Sequence, residues 1–187
     1  MTDFVPPVIT QILTTSPTPE ALFKALMPAI GEFLDCDRCF LYLRDPATCL
    51  GRVPFYWIRH AAIPIIYDKA WKREPVSLPD EDPMFAAALR TDPSIFVEDV
   101  ETASPDVLSQ VFERRSFGHR ALIHAHLCQH NQLWGVLQPC LFERPRQWTA
   151  VERQVINQIV LAIMPKAIAY IKAATEGLLI TAMPESK

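Results

Sequence analysis

The sequence predicts an α+β domain, with an antiparallel sheet of five or six strands, helices on one face and a lid of loops and short helices on the other. Two observations support this prediction. Apolar residues recur at helical spacing near both ends of the chain, over Thr18–Leu34 and Thr149–Ala173. The segments between them are short runs rich in aromatic and β-branched residues, as strands are. Helices flanking a group of strands indicate two packed layers.

Length and composition indicate one globular domain. The chain has 187 residues, of which 50% are hydrophobic and 21% are charged, which suits a single sizeable core. A net charge of −3 without a basic stripe argues against a nucleic-acid surface. Pro165 and Lys166 interrupt the most apolar run, so no membrane span is expected. Met1–Phe4 lacks the basic region of a secretory signal, and a cytoplasmic location is therefore expected.

The first clear helix is predicted to begin after Thr18. Thr18 can cap it, Pro19 suits the first helical position, and Glu20 complements the positive end of the helix dipole. Pro28 is expected to bend this helix because it removes a backbone donor. The apolar face comprises Leu22, Phe23, Leu26, Met27, Ile30, Phe33 and Leu34. Residues 1–17 are expected to be an N-terminal extension, in which Pro7–Thr14 suits a shorter helix.

The middle of the chain is predicted to alternate strands with a lid. Cys39–Leu43 and Val53–His60 have strand composition and are separated by turn residues. The proline-rich segment Ala61–Pro83 is predicted to be a long loop with turns. The elements predicted after it are a short helix from Asp82-Pro83, a strand over Ser94–Val100, and a helix from Ser104-Pro105-Asp106 to near Ser116.

A hairpin and a long helix are predicted to complete the domain. His119–Gln129 and Gln132–Phe142 form the predicted hairpin around His130-Asn131. Thr149 followed by Glu152 is a capping box that opens the last helix. The apolar face of this helix comprises Val151, Val155, Ile156, Ile159, Val160, Ile163 and Met164. This face is wider than one sheet needs, so a second surface such as a dimer partner is expected to cover the rest.

Three local stretches, in this order of elements, resemble GAF domains of the cyanobacterial phytochrome type. The stretches are Phe33–Pro46, Asp82–Arg90 with Phe96–Val100, and Leu133–Leu137 with Pro145–Trp148. The last of these is the most specific, since phytochrome-type GAF domains carry a closely similar run. The resemblance covers about residues 18–172. It implies a GAF-like domain over residues 18–175 with a ligand pocket, followed by a C-terminal tail, residues 176–187.

The residues that hold the usual ligand of this family are missing. A phytochrome-type GAF domain attaches a linear tetrapyrrole, a bilin, through a cysteine followed by a histidine in the helix before the hairpin. The family pattern places Ser109 and Gln110 at these positions, and Cys140 where a second family histidine lies on the last strand. The resemblance therefore implies no covalent bilin, unless Cys49 or Cys128 provides the attachment.

Aromatic and polar side chains on the predicted strands and lid suit an apolar pocket with a few polar groups. The same aromatic residues could equally fill the core. The candidate pocket residues are Tyr56, Trp57, His60, Phe85, Phe117, His119, His124, His126 and Cys140.

A metal site is a second hypothesis for one predicted strand. His124, His126 and Cys128 alternate along it, so they are expected to project from the same face. Imidazole and thiolate suit zinc or iron, but a closed site needs a fourth ligand that the sequence does not indicate. The alternative is a polar or ligand-lining face of the sheet. No cofactor is predicted.

The five cysteines are predicted to be free thiols, because their number is odd and no export signal is present. Cys36 and Cys39 have the spacing of a redox pair, but they follow a helix C-terminus, where no dipole lowers the thiol pKa. Packing is the better account of them. Free methionine sulfoxide reductase has a GAF fold and uses a nucleophilic and a resolving cysteine, but these cysteines match no such pattern. A non-enzyme is therefore predicted, with a cysteine-dependent reductase as the alternative.

The predicted function is that of a stand-alone GAF sensory or regulatory module that senses a small ligand or contacts a protein partner. A homodimer through Thr18–Leu34 and Thr149–Ala173 is expected, because GAF domains commonly pair through these helices. The alternatives are a ligand-free interaction or assembly factor, and a redox or metal sensor that uses cysteine and histidine residues.

Overall fold

The computed structural model describes residues 5–181, with side chains through residue 176. The described helices are α1 (Pro7–Thr15), α2 (Pro19–Phe33), α3 (Leu78–Glu81), α4 (Pro83–Leu89), α5 (Gln110–Ser116) and α6 (Ala150–Thr181). The described strands are β1 (Arg38–Asp45), β2 (Leu50–Ile58), β3 (Lys72–Arg73), β4 (Ile95–Val97), β5 (Ala121–Gln129) and β6 (Gln132–Leu141). They form one sheet in the order β3-β2-β1-β6-β5-β4, and every neighbouring pair is antiparallel. The predicted α+β class is confirmed.

One face of the sheet, here called the helix face, packs against α2 and α6. Its strand residues include Cys39, Leu41, Leu43, Phe55, Ile123, Ala125, Leu127 and Leu137, all in one buried cluster with both helices. The Phe23 ring of α2 lies 5.2 Å from Phe55 and 6.3 Å from Tyr170 of α6, measured between ring centroids. Helix α1 packs on α2 and buries Ile9 completely.

Both long helices begin at the caps that the sequence predicts. Thr18 Oγ1 accepts a hydrogen bond from the Ala21 N–H at 3.1 Å. Thr149 Oγ1 accepts from the Glu152 N–H at 3.2 Å, and Glu152 Oε2 accepts from the Thr149 N–H at 2.7 Å. This reciprocal pair is the capping box, and it satisfies two donors that the helix backbone leaves unpaired.

The opposite face of the sheet, here called the lid face, is covered by α3, α4, α5 and their connecting loops, here called the lid. Two rows of side chains cross this face. The first row is Tyr56, Phe40, Gln138 and His124, and the second is Tyr42, Val136 and His126. A bulge in β2 places Val53 and Pro54 opposite Tyr42 alone, since Leu41 pairs with Phe55 and Leu43 with Arg52. Pro54 suits this position because it has no N–H for the ladder.

The predicted hairpin is confirmed, whereas several predicted boundaries differ. His130 and Asn131 have φ of 53° and 56°, which suits a tight two-residue turn. Helix α5 begins at Gln110 instead of Ser104, because Leu108 is drawn completely into the core and Ser109 is extended and caps a new helix. The strand predicted over Ser94–Val100 is shorter and covers only Ile95–Val97. The segment Ala61–Pro83, predicted to be a loop, contains β3 and α3.

The last helix is longer and more apolar than the sequence suggests. It continues to Thr181, beyond the predicted start of a tail at residue 176; residues 182–187 of that tail lie outside the described residues. Ala150–Glu176 is long and apolar enough to cross a membrane by length and composition, despite Pro165 and Lys166. Val155, Ile159 and Ile163 are nevertheless completely buried in the helix-face cluster. The core helix of a soluble protein has the same composition.

Candidate functional site

A cavity of about 330 Å³ lies between the lid face and the lid. Its lining residues are Phe40, Tyr42, Gly51, Val53, Ile66, Asp68, Lys72, Arg73, Glu74, Pro75, Leu78, Asp82, Phe85, Phe112, Phe117, His124, Val136 and Gln138. The floor is formed by those members of the two rows that line the cavity, and the walls come from the lid. These members are Phe40, Tyr42, Val136, Gln138 and His124. A small organic molecule fits a volume of this size.

Three aromatic rings contribute to the wall. Phe112 and Phe117 come from α5 and the residue that ends it, and Phe85 comes from α4. The Phe117 ring is stacked 6.4 Å from Phe40 of the floor, and the Phe85 ring meets Tyr42 edge-on at 6.3 Å. These contacts bring lid and sheet together around the cavity. Such rings present flat apolar surfaces that suit an aromatic or conjugated molecule.

Two buried histidines of the lid face, His124 and His126, are joined by hydrogen bonds that determine where their protons lie. His126 Nδ1 lies 2.7 Å from the Asp92 carbonyl oxygen, which can only accept, so Nδ1 carries the proton. Nε2 of neutral His126 then accepts from His124 Nδ1 at 2.9 Å. Burial lowers the pKa of His126 and holds the pKa of His124 well below its ordinary value, so both rings are neutral at pH 7.

A second buried network ties the lid to the sheet. Arg38 Nη2 donates to His119 Nε2 at 2.5 Å, so the proton of the neutral ring is on Nδ1, which donates to Glu113 Oε2 at 3.0 Å. Arg38 Nη1 also donates to the Pro64 carbonyl at 2.7 Å. Burial lowers the pKa of His119 and outweighs the opposite effect of Glu113. Strand β1, helix α5 and the loop after β2 are thereby joined.

This second network is incompletely satisfied. Arg38 and Glu113 are each 1% exposed. Arg38 Nε and Glu113 Oε1 have no hydrogen-bond partner within the described part of the chain. A buried polar atom without a partner costs stability.

Charged residues surround the mouth of the cavity. Tyr42 donates to Glu74 Oε1 at 2.5 Å, and Arg44 Nε donates to the same carboxylate at 2.8 Å. Burial and the neighbouring Glu74 raise the pKa of Tyr42, so its hydroxyl stays protonated. Asp82 caps α4 by accepting from the Met84 N–H, and burial raises the pKa of its carboxyl to about 6.

Some candidate pocket residues line the cavity and others do not. Phe85, Phe117 and His124 line it. His119 and His126 do not line it, but they are hydrogen-bonded to Glu113 and His124, respectively.

Four candidate residues lie elsewhere. Trp57 is on the helix face, packed over Gly31 of α2, because β-strand alternation places it with Phe55. Tyr56 belongs to the first row, but it is half-exposed beyond the cavity. His60 is exposed after the end of β2, and Cys140 is buried under α4.

The metal hypothesis does not fit the geometry. His126 Nδ1 is engaged by the Asp92 carbonyl, and the Cys128 sulfur lies 3.7 Å from the Ala88 carbonyl oxygen. His124 and His126 bond to each other instead of converging on a common point. Within residues 5–181 there is no group of three or more histidine, cysteine, aspartate or glutamate residues that could hold a metal ion.

The cysteine thiols are free, and four of them have raised pKa values. Burial raises the pKa of Cys128 to about 11 and of Cys36 to about 12, and it raises the pKa of Cys39 and of Cys140 well above the ordinary value of a thiol. A thiol that stays protonated is a poor nucleophile.

The residues present do not fit a covalently attached bilin. Ser109, which the resemblance places at the attachment position, accepts a hydrogen bond from the Phe112 N–H through its Oγ as the cap of α5. All five cysteines are described, and none of them lines the cavity. Neither Cys49 nor Cys128 therefore offers a sulfur at the cavity wall.

Several site residues are absent from the sequence-based candidates. Gln138, Arg38, Glu113 and the Tyr42–Glu74 pair have no motif that marks them. Alternation along β1 and β6 could have placed Phe40, Tyr42, Val136 and Gln138 on one face. The pairing of Arg38 with Glu113 through His119 is a tertiary contact between residues 75 positions apart in the chain (113 − 38), and nothing local indicates it.

Solved GAF domains have the same fold. The blue-light-absorbing form of the Thermosynechococcus elongatus PixJ GAF domain matches with a TM-score of 0.62 and 20% identity, over 89% of this chain and 95% of that chain. The GAF domain of a phosphoenolpyruvate-protein phosphotransferase from Coxiella burnetii matches with a TM-score of 0.66 and 15% identity, over 90% and 92%. The chromophore-binding domain of bacteriophytochrome RpBphP3 from R. palustris gives 0.67 and 17%, over 89% and 60%. These identities show the fold alone.

The sequence comparison agrees with the fold. No similar sequence is found among curated proteins. The family model of the GAF domain matches residues 18–164, which run from the cap of α2 into α6 and include the cavity. The chain therefore belongs to the GAF domain family.

Proposed function

We propose that this GAF domain is a non-catalytic sensory or regulatory module that binds a small, largely apolar molecule without a covalent bond. The observation that supports this most directly is the cavity of about 330 Å³, which five aromatic residues line beside three buried polar side chains, Asp82, His124 and Gln138. A ligand in it contacts sheet and lid at once. Its binding favours the closed lid and so changes the surface that a partner meets.

The proposal is tested by comparing how a fluorescent probe binds to the wild type and to a variant whose cavity is filled by a larger side chain. Anilinonaphthalene sulfonate suits the aromatic walls, and Lys72 and Arg73 at the mouth can meet its sulfonate. We expect it to bind the wild type and to lose at least tenfold in affinity for Val136→Phe, because Val136 lines the cavity and is buried. Val111→Phe on the exposed side of α5 is the matched control, since Val111 is 75% exposed. Equal binding by wild type and Val136→Phe contradicts the proposal.

Co-expression with a bilin pathway tests the absence of a covalent bond. We expect no zinc-dependent fluorescence of the denatured protein on a gel. Any molecule that co-purifies is expected to be present in the native mass spectrum and absent from the mass spectrum of the denatured protein. A pigment that stays attached after denaturation overturns the proposal at this point.

A cytoplasmic homodimer is the expected state of the module. Support comes from α6, where Leu161, Pro165, Ala169 and Ala173 follow one another at four-residue spacing and are exposed, Leu161 by 73%. This strip faces away from the sheet and suits contact with a second copy. We expect a dimer by light scattering that Leu161→Arg dissociates and Val111→Arg, on the exposed side of α5, does not. A wild-type monomer at high concentration contradicts dimerisation.

A further inference from the structure

The hydrogen bonds of His124 and His126 determine which nitrogen of each ring carries the proton. The Asp92 carbonyl fixes the proton of His126 on Nδ1, and Nε2 of His126 fixes the proton of His124 on Nδ1. Nε2 of His124 is then the unprotonated atom of a neutral ring. It is an acceptor, and no hydrogen bond to it is observed within the described chain.

This acceptor belongs to the cavity. His124 is 4% exposed, and it lines the cavity directly across the sheet from Gln138 in the first row. A ring nitrogen that accepts no bond from the chain is available to a hydrogen-bond donor in the cavity. The chain of bonds also prevents the ring from switching tautomer, so this nitrogen cannot become a donor while Asp92 holds His126.

The surroundings of His124 restrict the shape of a partner. Phe40, Phe85 and Phe117 line the same cavity, and the Phe40 and Phe117 rings are nearly parallel, with an interplanar angle of 18° and centroids 6.4 Å apart. The flat apolar surfaces of these aromatic side chains favour a flat molecule. The acceptor beside them favours a flat molecule with an N–H or O–H group on its edge.

We propose that the ligand of this cavity is a planar aromatic or conjugated molecule that donates a hydrogen bond from a ring N–H or O–H to His124 Nε2. This inference rests on the proposed ligand-binding function and names the class of ligand and the residue that selects it. A planar molecule of equal size without the donor leaves the acceptor buried and unpaired, which lowers its affinity.

A matched pair of probes tests this donor requirement. Indole and benzofuran have nearly the same size and shape, but only indole carries an N–H. We expect indole to bind about five- to tenfold more tightly by calorimetry, the usual effect of one buried hydrogen bond. The preference is expected to disappear in His124→Phe. Equal affinity of the two probes for the wild type, or an unchanged preference in His124→Phe, overturns the inference.

A measurement on the wild type avoids reliance on the variant's folding. In protein labelled with ¹⁵N in its histidine rings, we expect His124 and His126 to show protonated Nδ1 and unprotonated Nε2. Indole is expected to shift the His124 Nε2 resonance, and benzofuran is not. A protonated His124 Nε2 overturns the inference even if both probes bind. The naphthalene probe separates the two proposals, since its binding to the cavity tests the function and not the donor requirement.

Discussion

The two faces of the sheet carry different kinds of side chains. On the helix face, Leu41 and Leu137 pack completely buried against α2 and α6. On the lid face, the neighbouring residues of the same strands, Phe40 and Gln138, border a cavity, and Arg38 joins a buried polar network. Strand alternation alone separates the two environments, because successive side chains point to opposite sides.

The difference indicates a division of roles. An apolar face supplies stability, because it buries apolar area and keeps close contacts. The lid face borders a cavity and buries charged groups such as Arg38 and Glu113, both of which reduce stability. Local departures from good packing are expected at functional sites. This contrast agrees with the ligand site proposed for the lid face.

The largest expected effect is that of removing a ring from the helix face. Phe23→Ala is expected to lower the free energy of unfolding by about 3–5 kcal/mol, because Phe23 is completely buried among Phe55 and Tyr170. Phe117→Ala on the lid face is expected to lower it by only about 1–2 kcal/mol, because Phe117 already borders a cavity and loses fewer contacts. Urea denaturation of both variants measures the difference. Equal losses would show that the lid face stabilises the domain as much as the helix face does.

The next effect concerns the buried charges of the lid face. Arg38→Met is expected to lower the free energy of unfolding by about 3 kcal/mol, because it leaves Glu113 buried without its compensating charge. Adding Glu113→Leu to this variant is expected to recover part of the loss, since the uncompensated carboxylate is then gone. A double-mutant cycle by urea denaturation measures the coupling. Strictly additive losses contradict a network that runs from Arg38 through His119 to Glu113.

The helix face is the part of the molecule that sequence predicts well. Its helices have amphipathic periodicity and strong caps at Thr18 and Thr149, and each of these signals lies within a few consecutive residues. The hairpin is equally local, because His130 and Asn131 alone determine the turn. Such elements follow from short-range backbone chemistry, which one sequence is enough to show.

The lid face is predicted less completely for two physical reasons. First, the aromatic residues of β2 look alike in sequence, and only the strand register separates Trp57 on the helix face from Tyr56 on the lid face. A shift by one residue exchanges the faces. Second, the network around His119 joins Arg38 and Glu113 from distant parts of the chain. Neither residue belongs to a local pattern, so tertiary contacts decide their roles.

The third prediction concerns pH, which acts on the lid face through its histidines. Burial lowers the pKa of His119, His124 and His126 in the folded protein. Below about pH 6.5 the unfolded chain therefore binds more protons than the folded one. The free energy of unfolding is expected to fall as pH falls from 7.5 to 5.5, by at most about 1.4 kcal/mol per pH unit for each histidine. Asp82 acts in the opposite direction, because burial raises its pKa to about 6 and its protonation then favours the folded state.

A set of variants locates this pH dependence. His124→Phe is expected to make the fall shallower, because it removes one buried neutral ring, and Asp82→Asn is expected to make it steeper. His60→Phe, which removes an exposed histidine, is the matched control. Urea denaturation at both pH values measures each slope, and an unchanged slope in His124→Phe contradicts the neutral, buried state of that ring.

The same titration separates the two faces of the sheet. Phe23 lies among apolar side chains away from these histidines, so the loss caused by Phe23→Ala is expected to be the same at pH 7.5 and pH 5.5. His124→Phe is expected to lower the free energy of unfolding by less at pH 5.5 than at pH 7.5. The variant lacks the ring whose protonation stabilises the unfolded chain of the wild type at low pH. If both variants respond to pH alike, the two faces are coupled, and the separation between a stabilising face and a ligand-binding face fails.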